Sequence, residues 1–106
     1  MIDIREYLDQ FGRSPFRLWR SALDVHARAK ISIALERLSA GNTSRVKGVG
    51  EGVSELKIDF GPGYRIYFGR DGVTVVILLG GGTKKRQQRD IADAQNCWAD
   101  YKRRKG

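Results

Sequence analysis

Four cations fall within the seven residues Thr83-Lys84-Lys85-Arg86-Gln87-Gln88-Arg89. The segment follows an apolar run that reads as strand and opens a run with helical spacing. A helix N-terminus carries roughly half a positive charge, so each cation placed there costs a few tenths of a kcal/mol. Breaks of a local rule of this kind concentrate at functional positions. Free backbone N–H groups beside Lys and Arg make an anion site, and phosphate suits it. The plain alternative is a helix that starts later, near Asp90, behind a solvated loop.

Three more residues gain meaning from this company. Arg65 and Tyr67 alternate with Tyr64, Ile66 and Phe68, so they share the opposite side of a strand. Lys57 takes the same side of the preceding strand. For Arg65 the plain alternative is a cross-strand ion pair with Asp59, and for Tyr67 it is packing against Val76. The functional reading makes this side, with Lys84 to Arg86 delivered to its edge, a phosphate-holding surface. Lys47 lies in Arg45-Val46-Lys47-Gly48-Val49-Gly50-Glu51-Gly52, which reads as a flexible connector with one backbone contact to offer. Neither a Walker signature nor a GxGxxG motif occurs, which argues against nucleotide binding.

The chain has one histidine, His26, so a paired-histidine ribonuclease mechanism is excluded. No Cys/His or carboxylate cluster has metal-ligand spacing, and no cofactor is expected. Cys97 is the lone cysteine, beside Trp98 in a helical pattern, so no internal disulfide forms and a buried thiol is expected.

These residues need elements to hold them. Ile2 to Leu8 reads as a first strand. Ser14-Pro15 is an N-cap followed by proline at the first helical position, and Phe16, Trp19 and Leu23 continue at helical spacing. From about Asp24, Ala27, Ile31, Ala34, Leu35 and Leu38 form a second stripe, closed by Gly41-Asn42. These runs make a helical hairpin or one bent helix. Val53 to Phe60 and Tyr64 to Gly69 alternate around the turn Gly61-Pro62-Gly63. Asp71-Gly72 signals a two-residue hairpin, and Val73 to Leu79, apolar on both sides, is expected to be central. Registers set from those turns pair Leu56 with Phe68, Ile58 with Ile66 and Phe60 with Tyr64, then Phe68 with Val75, Ile66 with Ile77 and Tyr64 with Leu79. Asp59 then faces Arg65. A last helix runs from about Arg86 to Lys102 with the stripe Ile91, Ala94, Trp98, Tyr101, and Lys102 to Lys105 is expected to fray.

The expected fold class is α+β, a single domain over 1–106. It comprises a small antiparallel β-sheet, an N-terminal helical hairpin on one face and a C-terminal helix, with the Arg65 face left open. The net charge is +8 with 20 Lys+Arg against 12 Asp+Glu, and the pI is near 10.1. That balance suits polyanions, because bound cations displace counterions condensed on phosphates. An acid at Asp3 and the lack of a long apolar run point away from a signal peptide or membrane span and towards the cytoplasm.

The order Trp19 to Leu38, Gly41-Asn42, Lys47, Gly52-Val53-Ser54-Glu55-Leu56-Lys57-Ile58, Gly61-Pro62-Gly63-Tyr64-Arg65-Ile66-Tyr67-Phe68 and Leu78-Leu79-Gly80-Gly81-Gly82-Thr83-Lys84 resembles the RelE/ParE superfamily of toxins. Within it the chain is most similar to the addiction-module killer proteins related to HigB. The resemblance covers nearly the whole chain. It implies a RelE-like fold and the toxin of a type II toxin–antitoxin pair. RelE-like members cut messenger RNA in the ribosomal A site; ParE-like members inhibit DNA gyrase without cutting. The antitoxin is implied to be a helix-turn-helix protein from a neighbouring gene. The family arginine of the Gly-Tyr-Arg strand maps onto Arg65. The basic residues after the next strand map onto Lys84 and Lys85, and Lys57 is the nearest match to lysines of the preceding strand. Gln87, Gln88 and Asp90 stand where many members carry a tyrosine or histidine.

The reaction this implies is metal-free transesterification. The RNA 2′-hydroxyl attacks the adjacent phosphate, leaving a 2′,3′-cyclic phosphate and a 5′-hydroxyl. Arg65 and Lys84 would stabilise the developing phosphoryl charge. Lys57 is the candidate base, Tyr67 would orient the base or sugar, and Lys47, Lys85, Arg86 and Arg89 would hold the RNA backbone. Arg65→Ala is expected to lower cleavage while leaving the fold intact.

Overall fold

The computed structural model describes every residue, 1–106. Strand β1 (Asp3–Glu6) leads into helices α1 (Pro15–Ser21) and α2 (Val25–Ser39). Four strands follow: β2 (Val46–Gly48), β3 (Val53–Ile58), β4 (Tyr64–Asp71) and β5 (Val75–Thr83). One turn of 3-10 helix, Lys84–Arg86, then runs into α3 (Gln87–Lys105). The strand order is β1-β5-β4-β3-β2.

The helix starts are local chemistry. Ser14 Oγ accepts from the Arg17 N–H at 3.0 Å, and Pro15 occupies the first position, where its missing N–H costs nothing. Asp24 accepts from Ala27 N–H at 2.8 Å and starts α2, whose Ala27, Ile31 and Leu38 are fully buried. Gly41, at φ 96°, turns the chain out of α2 as a side chain there would resist.

The fold is α+β, but the sheet corrects the expected antiparallel, one-face architecture. It is mixed: β1 runs parallel to β5, while β2, β3, β4 and β5 pair antiparallel. Both faces are covered. Helices α1 and α2 cover Leu56, Ile58, Tyr64, Ile66, Phe68, Val76 and Leu78. Helix α3 lays Ala94 and Trp98 on Val53, Tyr67, Ile77 and Leu79. The mixed order and the two-sided helix layout do not match an antiparallel sheet with one open face. They do not single out a RelE-like fold.

The registers differ for reasons of turn length. Leu56 pairs with Ile66, Ile58 with Tyr64 and Lys57 with Arg65, a slip of two from expectation. The β3–β4 turn takes Asp59 and Phe60 as well as Gly61-Pro62-Gly63. Phe60 N–H already bonds back to the Ile58 carbonyl, and Gly63 N–H to that of Phe60. At the next hairpin Asp71 pairs with Val75, giving a three-residue loop rather than a two-residue one. A bulge at Leu79 then resets the ladder, so Phe68 faces Leu78 but Tyr67 faces Gly80. The side expected to carry Val75, Ile77 and Leu79 therefore carries Val76 and Leu78. Within the Arg45–Gly52 segment, expected as a flexible connector, Val46–Gly48 forms the edge strand β2. Lys102 to Lys105 belong to α3, with Arg103 and Arg104 on Asp100 and Lys105 on Asp71.

Glycines make room for the tryptophans that fasten the helices. A Cβ at Gly69 would stand 2.5 Å from the Trp98 ring, and one at Gly81 would stand 2.3 Å from Trp19. Gly69→Ala is expected to cost about 1–3 kcal/mol through overpacking. Gly80→Ala, whose Cβ meets nothing within 4 Å, should stay within about 0.5 kcal/mol of wild type. Urea unfolding of the pair checks both values.

Candidate nucleic-acid interface

The face of the sheet under α3 carries a polar cluster where apolar packing would be expected. Glu55 on β3 is 2% exposed. Its Oε1 lies 2.9 Å from Arg65 Nε and accepts a hydrogen bond from Gln87 Nε2 at 2.9 Å. Lys47 Nζ approaches its other oxygen at 3.8 Å. The Arg65 contact is ionic rather than an aligned hydrogen bond. Arg65 Nη1 also donates to the Gly63 carbonyl at 3.2 Å.

Arg65 is thus not on an open flank. Its side chain is 7% exposed, and its acid is Glu55, not Asp59. With the register slipped by two, Asp59 pairs with Arg45 and lies 3.7 Å from Lys57. Tyr67 is fully buried and its hydroxyl finds no partner. Burial, with the Glu55 and Asp90 charges behind it, raises the phenol's pKa. Tyr67 packs as core of the α3 layer and presents no ring to a base. The expected exposure of both residues is overturned by α3, which closes over this side.

The remaining cations behave otherwise. Lys47, Lys57, Lys84, Lys85, Arg86 and Arg89 are all exposed. Lys57 neighbours Arg65 across the β3–β4 ladder, and Gly82 faces Arg65 from β5, just before Lys84. The register therefore carries Lys47, Lys57 and the Lys84 turn to one end of the sheet. Lys47 and Lys57 each stand near an acid. None of the protein's ion pairs involves Lys84, Lys85, Arg86 or Arg89. These four, with Gln87 and Gln88, line an open depression of about 390 Å³. No side chain caps α3, and the Gln87 N–H bonds back to the Lys84 carbonyl of the 3-10 turn. The helix does start at the cation run rather than near Asp90.

Glu55, Gln87, Asp90 and Gly82 are site residues that spacing and alternation did not single out. Asp90 Oδ2 fills the space over Gly82, where a Cβ would stand 1.9 Å away. Its pKa is raised, chiefly by burial, despite the nearby Arg86 and Arg89. The signal for Glu55 was present: an acid on the same strand side as Arg65, facing away from the large apolar residues.

Two consequences can be measured. Arg65→Ala strands a buried carboxylate, which should cost about 3–5 kcal/mol, so the variant is not fold-neutral as the sequence suggested. Glu55→Leu with Arg65→Met should cost less than Arg65→Ala, since no charge stays buried; urea titration ranks them. Asp90 is the opposite case. Because its folded pKa is raised, its native-state burden appears as pH rises through the carboxylate range and persists above it. Asp90→Asn should stabilise the protein at pH 7, with the gain vanishing below about pH 3.9, where the unfolded carboxyl is protonated too.

No protein-family model matches the chain. An uncharacterized protein of Haemophilus influenzae is 43% identical over 81 residues, spanning 76% of this chain and 82% of that protein. The chain belongs to the same family as that protein.

Proposed function

We propose that the protein is the toxin of a type II toxin–antitoxin pair, acting in the cytoplasm as a ribosome-dependent mRNA endoribonuclease. The observation that carries the reading is the group Lys84, Lys85, Arg86 and Arg89. It is exposed, without ion pairs and gathered at an uncapped helix start, in a chain of net charge +8. The family resemblance of the Gly-Pro-Gly-Tyr-Arg and Gly-Gly-x-Lys segments supports it.

In this reading the cation turn holds the RNA backbone and Lys47 extends the track along the sheet end. Phosphate contacts of this type supply affinity without base specificity. Lys84 and Lys85 stabilise the charge that gathers on the phosphoryl oxygens as the 2′-hydroxyl attacks. Lys57, exposed and beside Arg65, is the base that takes the 2′-proton, while the bond from phosphorus to the 5′-oxygen breaks and that oxygen leaves as a 5′-hydroxyl, protonated from solvent. Arg65 acts from below, tied to Glu55, as a positioning residue. DNA lacks the attacking hydroxyl and is not cut. A helix-turn-helix antitoxin is the proposed partner.

The burial of Arg65 and Tyr67 favours a second reading, in which the same cations block gyrase or ribosomal RNA without cleavage. Induced expression followed by transcript-end mapping separates the two. New 5′ ends that disappear in Lys84→Ala/Lys85→Ala/Arg86→Ala support cleavage. Growth arrest with intact transcripts and inhibited gyrase supercoiling supports the second reading.

Binding has its own expectation. On single-stranded RNA the triple variant should lower the slope of log affinity against log salt by about 2, at about 0.7 for each phosphate that is no longer neutralised. Fluorescence anisotropy across a salt series reads this directly, and an unchanged slope would contradict binding through the turn.

A further inference from the structure

A second cationic surface lies apart from the Lys84 turn, between α2 and the end of β3. It is a cleft of about 290 Å³, and its floor is Ala34, Leu56, Ile58 and Phe60. Leu56 and Ile58 belong to the core under α1 and α2, on the sheet face opposite α3. Ile33 stands at the cleft 42% exposed, a large aliphatic side chain left in water. The rim carries Lys30, Arg37, Arg45 and Lys57 against the single acid Asp59. Arg37 takes no part in any of the protein's ion pairs.

We infer that this cleft docks an acidic amphipathic segment of a protein partner, taking an aliphatic side chain onto Ile33, Ile58 and Leu56 and a carboxylate onto Arg37, whose guanidinium is unpaired. The charge balance selects an anionic partner, and the guanidinium fork matches a carboxylate in a bidentate pair. The floor selects protein over nucleic acid. It is aliphatic apart from Phe60, and the Lys30 ammonium already sits 5.4 Å from that ring's centre, so no aromatic platform is free for base stacking. An amphipathic helix laid into an apolar groove is a recurrent recognition mode. Docking at this cleft does not rest on the nuclease reading, although Lys57, the base in that reading, stands on its rim.

The test uses the full chain and two labelled probes. One is a synthetic helical peptide carrying leucines at i, i+4 and i+7 among glutamates; the other is a single-stranded RNA oligomer. Fluorescence anisotropy is read for wild type, Ile33→Glu, Arg37→Glu and Lys84→Glu, with circular dichroism confirming the fold; all three side chains are exposed. Peptide affinity should fall at least tenfold in Ile33→Glu and Arg37→Glu and stay within twofold in Lys84→Glu. Replacing the peptide's glutamates by glutamines should abolish binding. The inference is overturned if the peptide fails to bind, or if Lys84→Glu weakens it as much as the cleft variants do. It is equally overturned if the cleft variants lose RNA rather than peptide.

Discussion

One buried carboxylate ties the α3 side of this protein together. Glu55 sits on β3 at 2% exposure and meets Arg65 of β4, Gln87 of α3 and Lys47 of β2. A carboxylate removed from water costs several kcal/mol unless its partners are in place. The sheet register, the position of α3 and the approach of β2 are therefore constrained at the same point. The bond with Gln87 falls on the first residue of α3, directly after the Lys84–Arg86 turn. Glu55 thereby fixes where the exposed cations stand, although no phosphate could reach it.

The rest of α3 is fastened by contacts spread along its length. Tyr7 donates to Asp100 at 2.6 Å and joins the end of β1 to the helix, while Tyr101 donates to Asp71 at 2.6 Å beside the β4–β5 loop. Burial, followed by that Asp100 bond, pushes the Tyr7 phenol up to about 12. Trp98 drops into the space left by Gly52 and Gly69. The first turn, Gln87 to Asp90, carries no apolar side chain, and Gln87 is only half-buried. The turn is held by the bond from Gln87 to Glu55 and by Asp90 seated over Gly82.

Much of the architecture was legible because it rests on local rules. Ser14-Pro15 and Gly41 mark helix ends through backbone chemistry. Alternation in β3 and β4 places Leu56, Ile58, Tyr64, Ile66 and Phe68 inside, and the two-sided apolar run of β5 marks a strand with neighbours on both edges. The dipole violation at Lys84–Arg89 correctly identified an exposed cation turn at a helix start. What failed was non-local. The glycine-rich β3–β4 turn gave no sign that Asp59 and Phe60 belong to it, and that slip of two exchanged Asp59 for Glu55 as the partner of Arg65. The stripe Ile91, Ala94, Trp98, Tyr101 showed that α3 packs on something, but a stripe does not name the face it covers. That face was the one on which Arg65 and Tyr67 had been expected to meet solvent.

The central claim is that Glu55 holds the cation turn in the attitude needed to follow an RNA backbone. Gln87→Ala tests it most directly, because it cuts the tie to Glu55 while leaving every Lys and Arg in place. The measurement is affinity for single-stranded RNA across a salt series. The account predicts affinity several-fold weaker at each salt concentration with an unchanged salt slope, as expected when the charges remain but are no longer held. Affinity equal to wild type throughout would contradict it.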